Sequence, residues 1–214
     1  MTEAPQETTL YLVRHGQTEA NLREIICGRC ESPLTPLGRE QAAALGTELA
    51  PFHFDAAFTS TLSRAIDTAK AITDHHDGLV ATQLPELCEQ DYGDWEGEDY
   101  REVMRQNRDA FMKFRTDTMN AKAPDGETVA VFVDRVRRAI WDVMLPAHPG
   151  GSVLCVAHGG TLRMALCLLL DMDVSDHFYR FDVHNASLSV VKVGPVFGPR
   201  LVAMGLRPNG HWKW

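Results

Sequence analysis

Leu10-Tyr11-Leu12-Val13-Arg14-His15-Gly16 decides the fold, together with its counterpart Val153-Leu154-Cys155-Val156-Ala157-His158-Gly159-Gly160. Each is a short apolar run that stops at a histidine followed by glycine. Such a run reads as a strand buried on both faces, the pattern of parallel sheets covered by helices. In open α/β sheets ligands bind outside the carboxyl ends of the strands. Two histidines at that edge can meet over one crevice although the chain separates them widely. Arg14 and Arg64 make the crevice a site for a phosphate group.

Outward from these runs, strands and helices alternate, which predicts a three-layer α/β/α sandwich around a mostly parallel, mixed sheet. A polar, irregular stretch runs from Gly16 to Pro33. Thr35 as N-cap, with Pro36 at the first helical position, opens a helix that ends near Ala50 before Pro51. Ala56 to Thr59 reads as a strand, and Ser60 as the start of a helix that carries Arg64 in its first turn and ends at Asp74-His75-His76-Asp77-Gly78. From Asp99 to about Met119 a charged stretch reads as helical. It belongs to an insertion near 90–124 of the kind that forms a lid or wall over a sheet edge and sets specificity. Phe132, Val136, Ile140 and Val143 mark one face of a helix reaching Pro146, and Thr161 to Leu170 reads as a buried helix. Ser187 to Val193 and Leu201 to Leu206 read as a hairpin at the mixed edge.

A chain of 214 residues with 44% hydrophobic content can bury a full core, and one domain over 1–214 is expected. Twenty-one basic against 29 acidic residues gives a formal charge of −8, which argues against nucleic-acid and anionic-membrane partners. The amino-terminal stretch shows neither the basic segment nor the apolar stretch of a secretory signal, so a cytoplasmic protein is expected. No apolar run approaches the roughly 20 residues of a membrane span. Five cysteines form an odd set, so a disulfide framework is not expected and most are read as reduced, structural thiols. Cys27-Gly28-Arg29-Cys30 is a C-x-x-C that could bind metal or exchange disulfides, but it has no second such pair and no strand-then-helix context. The sequence offers no compact Asp/His metal cluster and no G-x-x-x-x-G-K-[ST] loop, so neither a metal nor a cofactor is expected.

Five ordered blocks carry a resemblance: Leu12 to Asn21, Pro33 to Ala42, Ser60 to Ala69, Glu89 to Gly97, and Ala157 to Gly160. Together they resemble the histidine phosphatase superfamily, also called the phosphoglycerate mutase-like family, and Tyr92-Gly-Asp-Trp-Glu-Gly97 looks like its phosphatase branch. The resemblance implies that His15 is a nucleophile that becomes phosphorylated. Arg14, Arg64 and His158 would bind the non-bridging oxygens, and Asn21 would add a further contact. Gln17, Thr18 and Gly159 are expected helpers, and Glu89 falls where the family places its proton donor. Glu31 departs from a common aspartate-containing form of its block.

The chemistry is coherent on physical grounds. A phosphomonoester repels an approaching nucleophile, and fixed cations remove that repulsion; arginine's planar fork suits two oxygens at once. A neutral imidazole offers a lone pair at physiological pH. An alkoxide is a poor leaving group, so a carboxylic acid that protonates it contributes roughly 10²–10⁴-fold, and the resulting carboxylate can activate water.

The leading expectation is a metal-independent phosphomonoester hydrolase acting on a small phosphorylated metabolite of the sugar phosphate, phosphoglycerate or ribazole phosphate type. A bisphosphoglycerate-dependent phosphoglycerate mutase and a non-catalytic phosphate-binding regulatory module are the alternatives. The oligomeric state stays open, a homodimer included.

Overall fold

The first apolar run becomes β1 (Thr8–Arg14) and the second β4 (Ser152–Ala157). In the computed structural model, which describes residues 7–208, the two lie side by side and parallel, with Arg14 opposite Ala157. The reading of the amino terminus falls largely on residues 1–6, outside the described range. Both strands are buried on both faces. Leu10, Leu12, Val153 and Cys155 belong to the core on one side of the sheet, whereas Val13, Leu154 and Val156 belong to the core on the other. The period of two in a strand thus divides each run between two helical layers, each fully buried side chain contributing about 1.5–3 kcal/mol.

Around this pair the chain runs α1 (Glu19–Leu22), α2 (Pro36–Leu49), β2 (Ala56–Thr59), α3 (Ser63–Thr73), β3 (Ala81–Gln83), α4 (Tyr100–Gln106), α5 (Arg108–Thr116), α6 (Val129–Arg138) and α7 (Leu145–Ala147). After β4 come α8 (Gly159–Leu169), α9 (Val174–His177), β5 (Leu188–Gly194) and β6 (Gly198–Leu206). The sheet order is β3-β2-β4-β1-β5-β6. Its first four strands are parallel, β5 runs antiparallel to β1, and β6 pairs antiparallel with β5, as the hairpin reading anticipated. Leu45 and Leu49 of α2 and Ala65, Ala69 and Ile72 of α3 fill one layer; Phe132 and Val136 of α6 and Leu162, Leu166 and Leu169 of α8 fill the other. Among the described residues no helix is long and apolar enough to cross a membrane.

Local chemistry explains most boundaries. Thr35 caps α2 by accepting from Gly38 N–H at 3.0 Å, with Pro36 at the first helical position. The helix expected to begin at Ser60 begins at Ser63. Its N-cap, Leu62, has no capping side chain, and Glu31 supplies the acceptor instead, taking the Ser63 N–H at 3.2 Å and the Ser63 hydroxyl.

The stretch from Asp99 to Met119 is two helices rather than one. They break at Asn107, whose side chain and N–H both turn back to the Val103 carbonyl, the local competition that makes asparagine a poor helix interior. The long helix expected up to Pro146 widens after Arg138 into a π-helical turn, Ala139–Met144. Pro146, inside α7, has no N–H to give to the preceding turn and its ring crowds that turn, so the α-helical ladder is interrupted just ahead of it. Three short elements, α1, β3 and α9, lie where no periodicity marked them.

Candidate active site

The register of β1 and β4 builds the centre of the site. Because Arg14 faces Ala157, the next residues, His15 and His158, leave neighbouring strands at the same level, and His15 N–H donates to the Ala157 carbonyl at 3.0 Å. Their rings meet edge to face with centroids 5.1 Å apart, and both are buried. His15 Nδ1 lies 2.7 Å from the Gly16 carbonyl, so it carries the proton, and Nε2 is left with the lone pair. Burial, with Arg14 and Arg64 nearby, holds the His15 imidazole well below its ordinary value, in the neutral form.

A polar cavity of about 120 Å³ opens over these rings, lined by Arg14, His15, Thr18, Asn21, Arg64, Glu89, Tyr92, His158 and Gly159, among others. Arg14 gives one Nη to the Val183 carbonyl at 2.7 Å, while its Nε is buried without a partner. Burial pulls its pKa down to about 10 against the opposing charge of Glu89. Asn21 accepts through Oδ1 from Thr18 N–H and from the Asn185 amide, which leaves its own NH₂ to donate. Thr18 itself caps α1 in a reciprocal capping box with Asn21.

Arg64 is buried and enters no ion pair among the described residues. Its Nε donates to His158 Nδ1 at 3.2 Å, and its two Nη atoms donate to the Cys30 and Gly28 carbonyls, each at 2.7 Å. His158 Nε2 pairs with Ser60 Oγ at 2.8 Å, so both nitrogens of His158 are engaged with protein. Burial, then the neighbouring His15, Arg64 and Arg14, hold His158 well below its ordinary value.

Glu89 lies across the cavity at the start of α8, accepting from Gly160 N–H at 2.7 Å, Gln90 N–H at 3.0 Å and Thr161 Oγ at 3.4 Å. The glycine pair makes this approach possible. A Cβ at Gly160 would fall 2.4 Å from a Glu89 carboxylate oxygen, and one at Gly159 would sit 3.2 Å from the Arg14 guanidinium. Arg135 fixes the segment from behind. It donates to the carbonyls of Glu86, Cys88 and Glu89 and pairs with the Glu127 carboxylate, both partners being nearly inaccessible.

The structure thus brings together Arg14, His15, Thr18, Asn21, Arg64, Glu89, His158 and Gly159. Gln17 stands apart: its amide oxygen accepts from Thr35 Oγ1 at 3.0 Å and its carbonyl from Thr35 N–H at 2.9 Å, so it ties the loop to the start of α2 and lines neither cavity. The expectation of free thiols fails for one pair, since Cys27 and Cys30 form a disulfide; a four-residue turn puts the two sulfurs in contact. Cys88, Cys155 and Cys167 are free and buried. Ser60, Asn185 and Arg135, which orient His158, Asn21 and Glu89, were not foreseen. Ser60 follows β2, Asn185 lies in the loop before β5 and Arg135 lies within α6, and none has a spacing that distinguishes it from an ordinary polar residue.

A second cavity of about 370 Å³ adjoins the first and shares Arg14, Cys27, Glu89, Tyr92 and Gly159 with it. The insertion supplies much of its wall through Trp95, Tyr100, Phe111, Phe114 and Thr118, faced by Met164, Val174, Phe178 and Tyr179. Trp95 and Phe111 stack in parallel at 4.9 Å.

The model of the histidine phosphatase superfamily, branch 1, matches residues 10–205. The chain belongs to this superfamily. Within it, an adenosylcobalamin/alpha-ribazole phosphatase of Salmonella typhimurium is 33% identical over 186 residues, covering 86% of this chain and 90% of that protein. A 2,3-bisphosphoglycerate-dependent phosphoglycerate mutase of Cytophaga hutchinsonii is 35% identical over 173 residues, covering 78% and 79%. The crystal structure of the alpha-ribazole phosphatase from Shigella flexneri superposes with a TM-score of 0.83 at 30% identity, covering 96% of this chain and all of that one. This histidine phosphatase therefore shares its mixed sheet and its helical layers with enzymes of both hydrolase and mutase name.

Proposed function

We propose that this histidine phosphatase is a phosphomonoester hydrolase working through a phosphohistidine at His15, on substrates whose leaving group carries a flat apolar portion. The observation that carries the reading is His15 itself: a buried, neutral imidazole with Nδ1 held by the Gly16 carbonyl and Nε2 unclaimed, inside a cavity with two arginines.

His15 Nε2 attacks phosphorus in line, and the P–O bond to the leaving group breaks. Arg14, whose buried Nε lacks an acceptor, takes one phosphate oxygen, and the Asn21 amide NH₂ takes another. Arg64 and His158 face the same oxygens once they exchange the protein partners they now hold. Fixed cations act here as preorganised charge, offsetting the mutual repulsion of nucleophile and dianion. Glu89, carrying the proton, gives it to the leaving oxygen. The carboxylate left behind takes a proton from water as water attacks phosphorus and the P–Nε2 bond breaks, which returns the free His15 imidazole and releases inorganic phosphate, so one residue serves both half-reactions.

The second cavity supports the leaving-group assignment. Its cationic lining residues among those described are Arg14 and Arg163, in a wall otherwise rich in aromatic rings. A phosphorylated sugar acid offers such a wall little to bind, whereas a planar heteroaromatic group of the ribazole kind offers a face to stack. The same argument favours transfer to water over transfer to a second sugar acid.

The test is phosphate release from a panel of phosphomonoesters in excess EDTA, by wild type and His15→Ala. Release that survives chelation and falls to background in the variant, with acid-labile phosphate trapped on the wild-type protein, is the expected result. A variant as active as wild type overturns the assignment of His15, and product isomerisation without release turns the reading to a mutase.

A further inference from the structure

We propose that Cys27 and Cys30 are a redox-exchangeable pair whose disulfide holds Arg64 back from the phosphate cavity and whose reduction by an external dithiol releases it. The inference rests on the reading of that cavity as a phosphate site.

The turn from Cys27 to Cys30 is held between two opposite charges. On one side Glu96 accepts from the N–H groups of Gly28, Arg29 and Cys30 at 3.0, 2.8 and 2.9 Å. On the other, the Gly28 and Cys30 carbonyls take the Nη atoms of Arg64, with the Cys27 carbonyl at 3.4 Å from the same guanidinium. The turn therefore neutralises a buried arginine with carbonyl dipoles where a carboxylate would ordinarily serve. Arg64 Nε is spent on His158 Nδ1. With the disulfide closed, a phosphate oxygen that needs Arg64 must compete with acceptors that a covalent ring keeps in place.

The pair is placed for exchange. The Cα atoms are 5.2 Å apart, within the span disulfides bridge. Both residues are half-buried rather than sealed, Cys27 lines both cavities, and its sulfur has Arg64 Nη1 at 3.8 Å. A cation against a partly exposed sulfur is the setting in which cysteine exchange is fast. Cys27, Cys30 and Glu96 also form a group of three metal-type donors. Because three N–H groups of the turn already occupy the Glu96 carboxylate, the pair is better suited to sulfur chemistry than to a metal.

In the forward step the Cys27–Cys30 S–S bond breaks, the external dithiol supplies two electrons and two protons, and it departs as its own disulfide. The turn then remains anchored to Glu96 through its N–H groups, but its carbonyls are free to yield Arg64 to substrate. The reverse step needs an external disulfide.

The experiment compares wild-type protein oxidised with glutathione disulfide and reduced with dithiothreitol, thiol labelling and mass spectrometry fixing the state of each cysteine. Reduction is expected to raise kcat/KM for para-nitrophenyl phosphate about tenfold, and the affinity for inorganic phosphate by calorimetry in parallel, the worth of one charge-assisted hydrogen bond. Re-oxidation reverses both, and Cys30→Ser, which cannot close the ring, responds to neither reagent. Equal turnover in both states overturns the coupling and leaves the hydrolase reading intact. A response that persists in Cys30→Ser assigns it to another thiol and overturns the proposal. No hydrolysis in either state, with phosphate affinity still changing on reduction, overturns the hydrolase reading and leaves the coupling.

Discussion

The two cavities share five lining residues yet are built by opposite means. The polar one is made by strand register: β1 and β4 end side by side, and His15 and His158 follow from that pairing without any further device. The aromatic one is made by tertiary packing of the insertion, with Trp95 on Phe111, and Met164 of α8 with the rings of Phe178 and Tyr179 after α9 closing the far wall. Register fixes chemistry to within a residue, whereas packed rings fix only shape and polarity. Chemistry in this molecule should therefore be brittle to substitution, and specificity plastic.

Glu89 stands on the border between the two and gives the sharpest test of the division. If it protonates the leaving group, Glu89→Gln slows phosphorylation by an alkyl phosphate by roughly 10²–10⁴-fold and barely slows that by para-nitrophenyl phosphate, whose leaving group needs little help. Single-turnover rates on both substrates measure this. Equal losses would take Glu89 out of the acid role and leave it a residue of shape, on the aromatic side of the comparison.

The same contrast explains what the sequence made legible. The sandwich, the β1 and β4 pair, the cap at Thr35 and the terminal hairpin were readable because each depends on local pattern: unbroken apolar runs, a cap residue before proline, alternation. Arg14, His15 and His158 were readable because they sit at strand ends. Gln17 misled because it lies only two residues beyond His15, and nearness in sequence does not choose which side chain turns inward; Thr35 claimed it instead. Ser60, Asn185 and Arg135 act through hydrogen bonds between distant segments, which leave no periodic trace. The Cys27–Cys30 bond was missed because composition speaks of compartments, and the contact of two sulfurs is a property of one turn.

Protonation probes the polar cavity as a unit. Burial depresses His15 and His158 in the folded protein, so between their lowered values and the ordinary value near 6.5 the unfolded chain binds protons that the folded one does not. Stability from these two groups is therefore complete above about pH 6.5 and is lost as pH falls below it. The slope is about 1.4 kcal/mol per pH unit for each histidine. Denaturation midpoints between pH 7.5 and 5 measure the slope, and His158→Asn should flatten it. A wild-type midpoint that does not fall over this range would mean that these rings are not held neutral by burial.

The smallest effect expected is on the aromatic side. Phe111 stacks on Trp95 and is partly exposed, so Phe111→Ala removes one face of the wall without touching the strand ends. Loss of one stacked ring is worth about 0.5–1.5 kcal/mol beyond area. The ratio of kcat/KM for a heteroaromatic ribose phosphate over that for 3-phosphoglycerate should fall up to about tenfold. The change should appear in KM for the heteroaromatic substrate, with kcat held, because the ring binds ground state and transition state alike and takes no part in the transfer. A fall in kcat on both substrates would instead mean that the insertion positions Glu89 through Trp95, and the two cavities would then have to be counted as one catalytic device.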